Sequence, residues 1–561
     1  MRFRLGPVLL LIFPVTATAQ SSLPRTHAPR PTTPAITAAD LMTRLYIYAD
    51  DSMMGRDAST AGNVKATDYI AAQVRRIGLQ PAGDSGTYFQ TIPLKSRSLD
   101  TASTFTVPGG PLVAFADYVP LVRQPVANDT LGVVFGGMVG DTLHQLTEAQ
   151  AAGKLVVLRS AGFNSLRALR RAPTVPGAWG LAIVGLDSVP PPILAGLRRP
   201  QTFLDDNQVP PTPPPLVLLV SQAAAAKLFP TPFDSLTLGA AGAVVGINLK
   251  WNVTPAQFPS RNVVAIVPGS DPKLKGEYVA IGAHNDHIGI ARPVDHDSIR
   301  IWNHVVRPEG ADDFGNQATP AQQAKVDSLL AAWRAAHSNA SRVDSISNGA
   351  DDDGSGTVSV LEIAERINSL PRKPKRSILF VWHTGEERGL LGSRFFTDHP
   401  TVPRDSIIAQ LNMDMVGRGD ADDEVGRTKD RTPIHGSPTY VQLVGSRRLS
   451  TELGDIIEQV NTQGKHNLTL DYAIDADGHP SNIYCRSDHY SYARYGIPIT
   501  FFTTGLHSDY HQVTDEPQYI DYEHMARVAN LVEDIAVHLG NMDHRPAVDH
   551  PKPDPAAPCR Q

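Results

Sequence analysis

From about residue 256 onward, short apolar segments alternate with segments of helical spacing, and this pattern constrains the fold more than any other feature of the chain. RNVVAIVPG and EYVAIGAH are apolar enough for buried strands, and GTVSVLEIAERI reads as a helix. RSILFVWHT and SIIAQLNMDMVG follow as strands, and YEHMARVANLVEDIAVHLG closes the pattern as a helix. Such alternation predicts an α/β domain, with a mostly parallel, mixed sheet sandwiched by helices. In sheets of this kind ligands bind beyond the carboxyl ends of the strands.

The strand ends are where the polar residues collect. EYVAIGAH runs into His284-Asn285-Asp286-His287, and the loop before GTVSVLEIAERI carries Asp351-Asp352-Asp353. RSILFVWHT leads to Glu386-Glu387, SIIAQLNMDMVG carries Asp414 near its end, and GLHSDYHQVTDEP supplies His507 and His511. Zinc takes imidazole nitrogen and carboxylate oxygen, and a catalytic zinc keeps one position open. Two zinc ions carry four positive charges, which three carboxylates and a hydroxide neutralise. Neighbouring residues of a regular strand point to opposite faces, so Glu386 and Glu387 can serve one site only where the strand ends and the chain bends. One can then bind metal while the other accepts a proton.

Each piece also has a plainer reading. A Glu-Glu pair is commonly a solvated turn, and Asp353 reads as a cap for the helix that follows it. DDDGSG and IDADGHPSN lack the alternating ligands and closing Glu of a calcium loop. The combination of ordered strand ends is what points to a shared site.

The rest of the chain bounds this reading. A length of 561 residues predicts two or three domains, and a net charge of −6 argues against a nucleic-acid partner. MRFRLGPVLLLIFPVTATAQ has the arginines, apolar run and small-x-small end of a signal peptide over residues 1–19, too short and Pro-interrupted for a spanning helix. Export is therefore expected, with residues 20–37 as a linker. ADLMTRLYIYA and GNVKATDYIAAQVRRIGL have helical spacing and open the domain over 38–100. Residues 101–255 read as a β-rich insert, and 542–561 as a disordered tail. Only two cysteines are present, Cys485 and Cys559, too few for a disulfide framework.

GAHNDH, NGADDDGSGTVSVLEIA, HTGEERGLLGS, NMDMVG and SDYHQVTDEP, in that order, resemble the co-catalytic di-zinc aminopeptidases, a family that also includes glutamate carboxypeptidase, glutaminyl cyclase and the transferrin receptor. The resemblance spans about 256–541, and the 101–255 insert is similar to a protease-associated domain. It implies a zinc-exopeptidase, phosphorylase/hydrolase-like fold and two zinc ions per chain. His284 and Asp414 match ligands of one zinc, Glu387 and His511 ligands of the other, and Asp352 the bridge. Glu386 matches the general base toward a zinc-activated water, and Asp286 the carboxylate that orients His284. Tyr484 matches a tyrosine that hydrogen-bonds the tetrahedral intermediate. The implied activity is removal of the N-terminal residue from a peptide substrate.

One departure is the long insertion at 290–347, which reads as a wall or lid over the site, its own histidines and acids being more consistent with a solvated loop than another ion site. His507 has no matched role and reads as a structural or rim residue. Carboxypeptidase action remains open through Arg418, as does a receptor-like binding role, although no ligand position is lost. Cyclisation fits less well, since the full two-metal set is present. Oligomeric state is open.

Overall fold

The computed structural model describes residues 23–141, 143–162, 175–206, 215–313, 315–337 and 342–561. The expected signal peptide lies outside these residues. Among the described residues no helix is long and apolar enough to cross a membrane.

The region from residue 256 onward is built on one mixed sheet. Its centre is four parallel strands in the order Ser377–His383, Tyr278–His284, Ile407–Met413 and Ile499–Thr503. Ser260–Val267 flanks this group antiparallel on one side and Tyr440–Val444 on the other. The alternation read from the sequence is therefore seen, with the parallel character concentrated in the middle.

Side chains on successive strand positions pack against different layers, as the two-residue strand period requires. Val279, Ile281 and Ala283 join the core beneath the helices Ala38–Tyr48, Gly356–Ser369 and Tyr522–Asn541. Ala280, on the other face, packs with Phe396, Tyr492 and Ile499. The helix Ala61–Ile77 starts on Thr60, whose hydroxyl accepts from Asn63 N–H, and stops at Gly78 with φ of 87°. That left-handed stop is where glycine is favoured.

The insert has its own eight-stranded sheet and separate apolar cores. Leu94–Leu99 pairs antiparallel with Trp251–Pro255 and with Gln201–Leu204, so the excursion begins a few residues earlier than the expected position 101. Residues 290–347 form a two-stranded ribbon, Ile290–Asp295 with Val343–Ile346, carrying the helices His296–Val306 and Pro320–Ala336. The tighter turn Gly310–Asp313 lies between them.

The C-terminal tail, expected to be disordered, is docked. Cys485 and Cys559 form a disulfide with Cα atoms 5.8 Å apart. Gln561 accepts from Tyr484 N–H at 3.0 Å, and His544 pairs with Glu452 at 2.7 Å. The polar composition of the tail hid its anchoring, because a covalent link and scattered hydrogen bonds leave no periodic signal.

Candidate metal centre

The four central strands all end at one place. His284 is the last residue of its strand, Asp414 follows Met413, and Glu386 and Glu387 lie just beyond His383. His511 lies in the loop after Thr503 and has φ of 56°. Asp352 comes from a wide turn, Ala350–Ser355, that leads into the helix Gly356–Ser369. That turn is held from below by Asp515, which accepts the N–H of Asp351 at 2.9 Å and of Asp352 at 3.1 Å.

The Asp352 carboxylate is shared between two groups. Its Oδ1 is 3.1 Å from His284 Nε2, which is 3.6 Å from Asp414 Oδ1. Its Oδ2 is 2.9 Å from His511 Nε2, which in turn is 3.0 Å from Glu387 Oε2. His287, whose role sequence reasoning did not assign, joins the second group with Nδ1 2.8 Å from Glu387 Oε1. Two sets of donors thus share one carboxylate, His284/Asp352/Asp414 and His287/Asp352/Glu387/His511.

These donors suit zinc. Imidazole and carboxylate are its ordinary N and O ligands, and several atoms here are buried without a hydrogen bond, namely both nitrogens of His287, Glu387 Oε1 and Asp286 Oδ2. Buried polar atoms otherwise find partners. Burial opposes ionisation of Asp352, yet hydrogen bonds with His284 and His511 hold its carboxyl well below the ordinary value. Burial lowers His511, but Glu387 and neighbouring groups push it well above the usual imidazole range. Burial raises Glu387, and the His511 charge together with the close contacts of His287 and His511 outweighs it, bringing the carboxyl to about 2.

Glu386 and Glu387 diverge as the strand end requires. Glu386 lines a cavity together with His284, Asp352, Asp414 and His511. Glu387 turns away from it toward His287 and His511, its side chain 5% exposed. Burial is the main reason that the Glu386 carboxyl is pushed well above its ordinary value, with Glu387 and Asp414 adding to it and His284 opposing. A cation beside it would reverse that shift.

Asp286 lies in the site but does not hold His284 as expected. His284 Nδ1 is 3.1 Å from the backbone carbonyl of Asp286, whereas the nearest carboxylate oxygen is 3.8 Å away. The Asp286 carboxylate instead accepts the N–H of Gly385 at 2.7 Å and of Glu386 at 3.1 Å. Burial pushes this carboxyl up to about 7, against the nearby His284. Asp353, expected as a cap, accepts from Gly356 N–H at 2.9 Å and from His284 N–H at 2.9 Å, so it ties the strand end to the helix start, while the N-cap position itself is Ser355.

Tyr484 is not brought to the cavity. It is buried in the apolar layer beneath, with Arg448 stacked 4.8 Å over its ring. Tyr510 lines the cavity instead, its hydroxyl 3.3 Å from Arg486. Both tyrosines precede a plausible site residue in sequence, and nothing but the path of the chain distinguishes them. His507 is fully buried 3.1 Å from Asp351, a structural position. Ser487, unassigned from sequence, donates to Asp414 at 2.7 Å.

The 290–347 insertion forms part of the cavity wall. Glu309 lines it and pairs with Arg427 at 3.1 Å, while Asp312 grips Arg486 at 2.6 and 3.0 Å. Met415, Val425, Ile474, Ile483, Phe501 and Leu506 make the apolar side. Farther out, His296, Asp344 and Glu516 also converge. Arg342 contacts both carboxylates there, so a guanidinium already supplies the positive charge. Arg418 is buried between Asp509 at 3.0 Å and Asp423 at 3.4 Å.

Residues 324–536 match the model of peptidase family M28. Leucine aminopeptidase 1 of Sclerotinia sclerotiorum is 30% identical over 195 residues, covering 33% of this chain and 44% of its own. Leucine aminopeptidase 1 of Phaeosphaeria nodorum is 27% identical over 317 residues, covering 54% and 61%. The matched regions thus span about half the length of these curated relatives. Among solved structures, an aminopeptidase from Aneurinibacillus sp. strain AM-1 aligns over 92% of this chain and 97% of its own, at 15% identity and a TM-score of 0.49. A zinc aminopeptidase from Bacillus subtilis aligns over 92% and 99%, at 16% identity and a TM-score of 0.44.

Proposed function

We propose that this chain, whose residues 324–536 match peptidase family M28, is an exported zinc-dependent aminopeptidase of that family that holds two zinc ions and uses Glu386 as general base. The observation that carries this is the meeting of His284, Asp352, Asp414 and His511 with the carboxylate of Glu386 in the lining of one cavity.

His284, Asp352, Asp414, Glu387 and His511 would hold the metals. When bound, a zinc pair polarises a carbonyl and makes water acidic enough to attack at neutral pH. Glu386 takes up the proton at its carboxylate and returns it to the leaving amine. Asp286 fixes the Glu386 backbone from behind, so the base stays aimed at the cavity. The apolar wall of Met415, Ile474, Ile483 and Phe501 receives the side chain of the residue being removed, which favours apolar N-terminal residues. The curated relatives are named leucine aminopeptidases, in keeping with that preference.

Carboxypeptidase action has less support. It needs an arginine free to take a terminal carboxylate, and Arg418 is engaged by Asp509 and Asp423. Export accords with the N-terminal sequence and with the Cys485–Cys559 disulfide, since such bonds persist in oxidising compartments.

The test is hydrolysis of a panel of free and N-blocked aminoacyl peptides by the purified protein. Cleavage of free leucyl and phenylalanyl substrates, with N-blocked peptides untouched, is the expected result. Cleavage of N-blocked peptides at their C-terminus would replace the reading with carboxypeptidase action.

A further inference from the structure

We propose that His287 is a fourth protein ligand at the metal position formed by Asp352, Glu387 and His511. That position is then closed, and the His284/Asp352/Asp414 position is the open one. The inference rests on the two-zinc reading above.

His287 is wholly buried, and neither ring nitrogen has a hydrogen-bond partner. Its Nδ1 is 2.8 Å from Glu387 Oε1 and 3.7 Å from Asp352 Oδ2, yet the approach to Glu387 is out of line for a hydrogen bond. Leaving a buried polar group unpaired costs about 1–3 kcal/mol, so an imidazole in this place needs another partner. A cation between the atoms would supply one for Nδ1, because ligand lone pairs then converge on the ion and not on one another.

The spacing agrees. Zinc bonds of ~2.0–2.1 Å in a tetrahedron put neighbouring ligand atoms about 3.3 Å apart. Here the two imidazole nitrogens lie 3.7 and 2.9 Å from Asp352 Oδ2, and 2.8 and 3.0 Å from the two oxygens of Glu387, Oε1 for His287 and Oε2 for His511. The ring is also seated for the purpose. A Cβ on Gly349 would come within 2.5 Å of its Cγ, and its plane stands edge-on to His511 with centroids 5.5 Å apart. His284 and His287 leave the same strand end but serve different sides of Asp352.

The two positions are therefore unequal. His284, Asp352 and Asp414 all line the cavity and fill three places of a tetrahedron, leaving one for an outside ligand. In the other set His287 and Glu387 are not among the cavity-lining residues, and four protein donors fill the tetrahedron. The closed position holds its ion more tightly and keeps it in place while substrate meets the open one.

The experiment strips the full-length protein of metal and titrates it with zinc by calorimetry, counting bound zinc after dialysis against graded chelator. Wild type is expected to take up two ions in unequal steps. His287→Ala should weaken the tighter step by more than the ~10–100-fold that loss of an outer partner costs, with the other step unchanged. His287→Gln repeats the test with a side chain closer in size. A zinc-soaked crystal of the wild type reads the bond directly, and Nδ1 at ~2.0–2.1 Å from zinc supports the assignment. Two wild-type ions with both variants unaffected, or Nδ1 more than ~3 Å from zinc, overturns the role of His287 alone. A wild type that binds no zinc overturns the two-zinc reading with it.

Discussion

The Asp286 carboxylate accepts the backbone N–H of Glu386 at 3.1 Å, so the residue next to a metal-ligand candidate steadies the candidate base. It also accepts from Gly385, at the point where the chain turns with φ of 83°. An asparagine keeps an acceptor oxygen there, and an alanine does not. Asp286→Asn should retain most activity, within about tenfold, whereas Asp286→Ala should lower kcat by about 10²-fold through misplacement of Glu386. Steady-state kinetics of the two variants check this. Equal, severe loss in both would assign the role to the negative charge.

The insertion is latched to the cavity wall by Asp312 on Arg486 and Glu309 on Arg427. Asp312→Ala leaves a half-buried guanidinium without its carboxylate. Together with Glu309→Ala it should widen the cavity, raising KM for small apolar substrates several-fold with less effect on kcat. A comparison of leucyl and bulkier substrates reads the change, and identical KM values would contradict a wall role.

The disulfide joins Cys485, beside the cavity-lining Arg486 and Ser487, to a cysteine 74 positions later in the tail. Cross-linking a loop of that length typically contributes about 2–4 kcal/mol. Cys559→Ser should lower unfolding stability in urea by that amount and expose the tail to proteolysis. Unchanged stability would mean that the noncovalent contacts of His544 and Gln561 suffice.

His489 is buried against Phe501, with ring centroids 4.9 Å apart, and its Nε2–H points to the Tyr484 carbonyl at 2.8 Å. Burial pushes this imidazole down to about 4. Its folded value lies below the ordinary ~6.5, so the unfolded chain binds the proton first as pH falls. The associated stability is complete above pH 6.5 and is lost toward pH 4. Between pH 7 and 4.5 wild type should lose about 2–3 kcal/mol more than His489→Gln in urea unfolding. Equal losses would contradict a neutral buried imidazole.

Much of the site could be read from the chain because each donor follows a buried strand, and apolar runs of strand length are easy to recognise. Glu386 and Glu387 needed only the rule that neighbours diverge at a strand end. His287 was harder, since a second histidine in His-Asn-Asp-His also suits a polar loop, and only its buried, unpaired nitrogens separate the two readings. Asp286 could be placed but not its partners, because the choice between a ring N–H and two backbone N–H groups is made by a turn three dimensions deep. Tyr484 and Tyr510 differ in where the chain passes, not in local pattern. The antiparallel sheet edges and the docked tail depend on partners distant in sequence, which periodicity does not report.

The most direct test of the account is Glu386→Gln, purified beside wild type, with bound zinc counted and leucyl-peptide hydrolysis measured on the same samples. Removing a positioned general base is expected to cost about 10²–10⁴-fold in kcat, with zinc content unchanged because Glu386 belongs to neither donor set. Near-wild-type hydrolysis by this variant would contradict the assignment of Glu386 as the base.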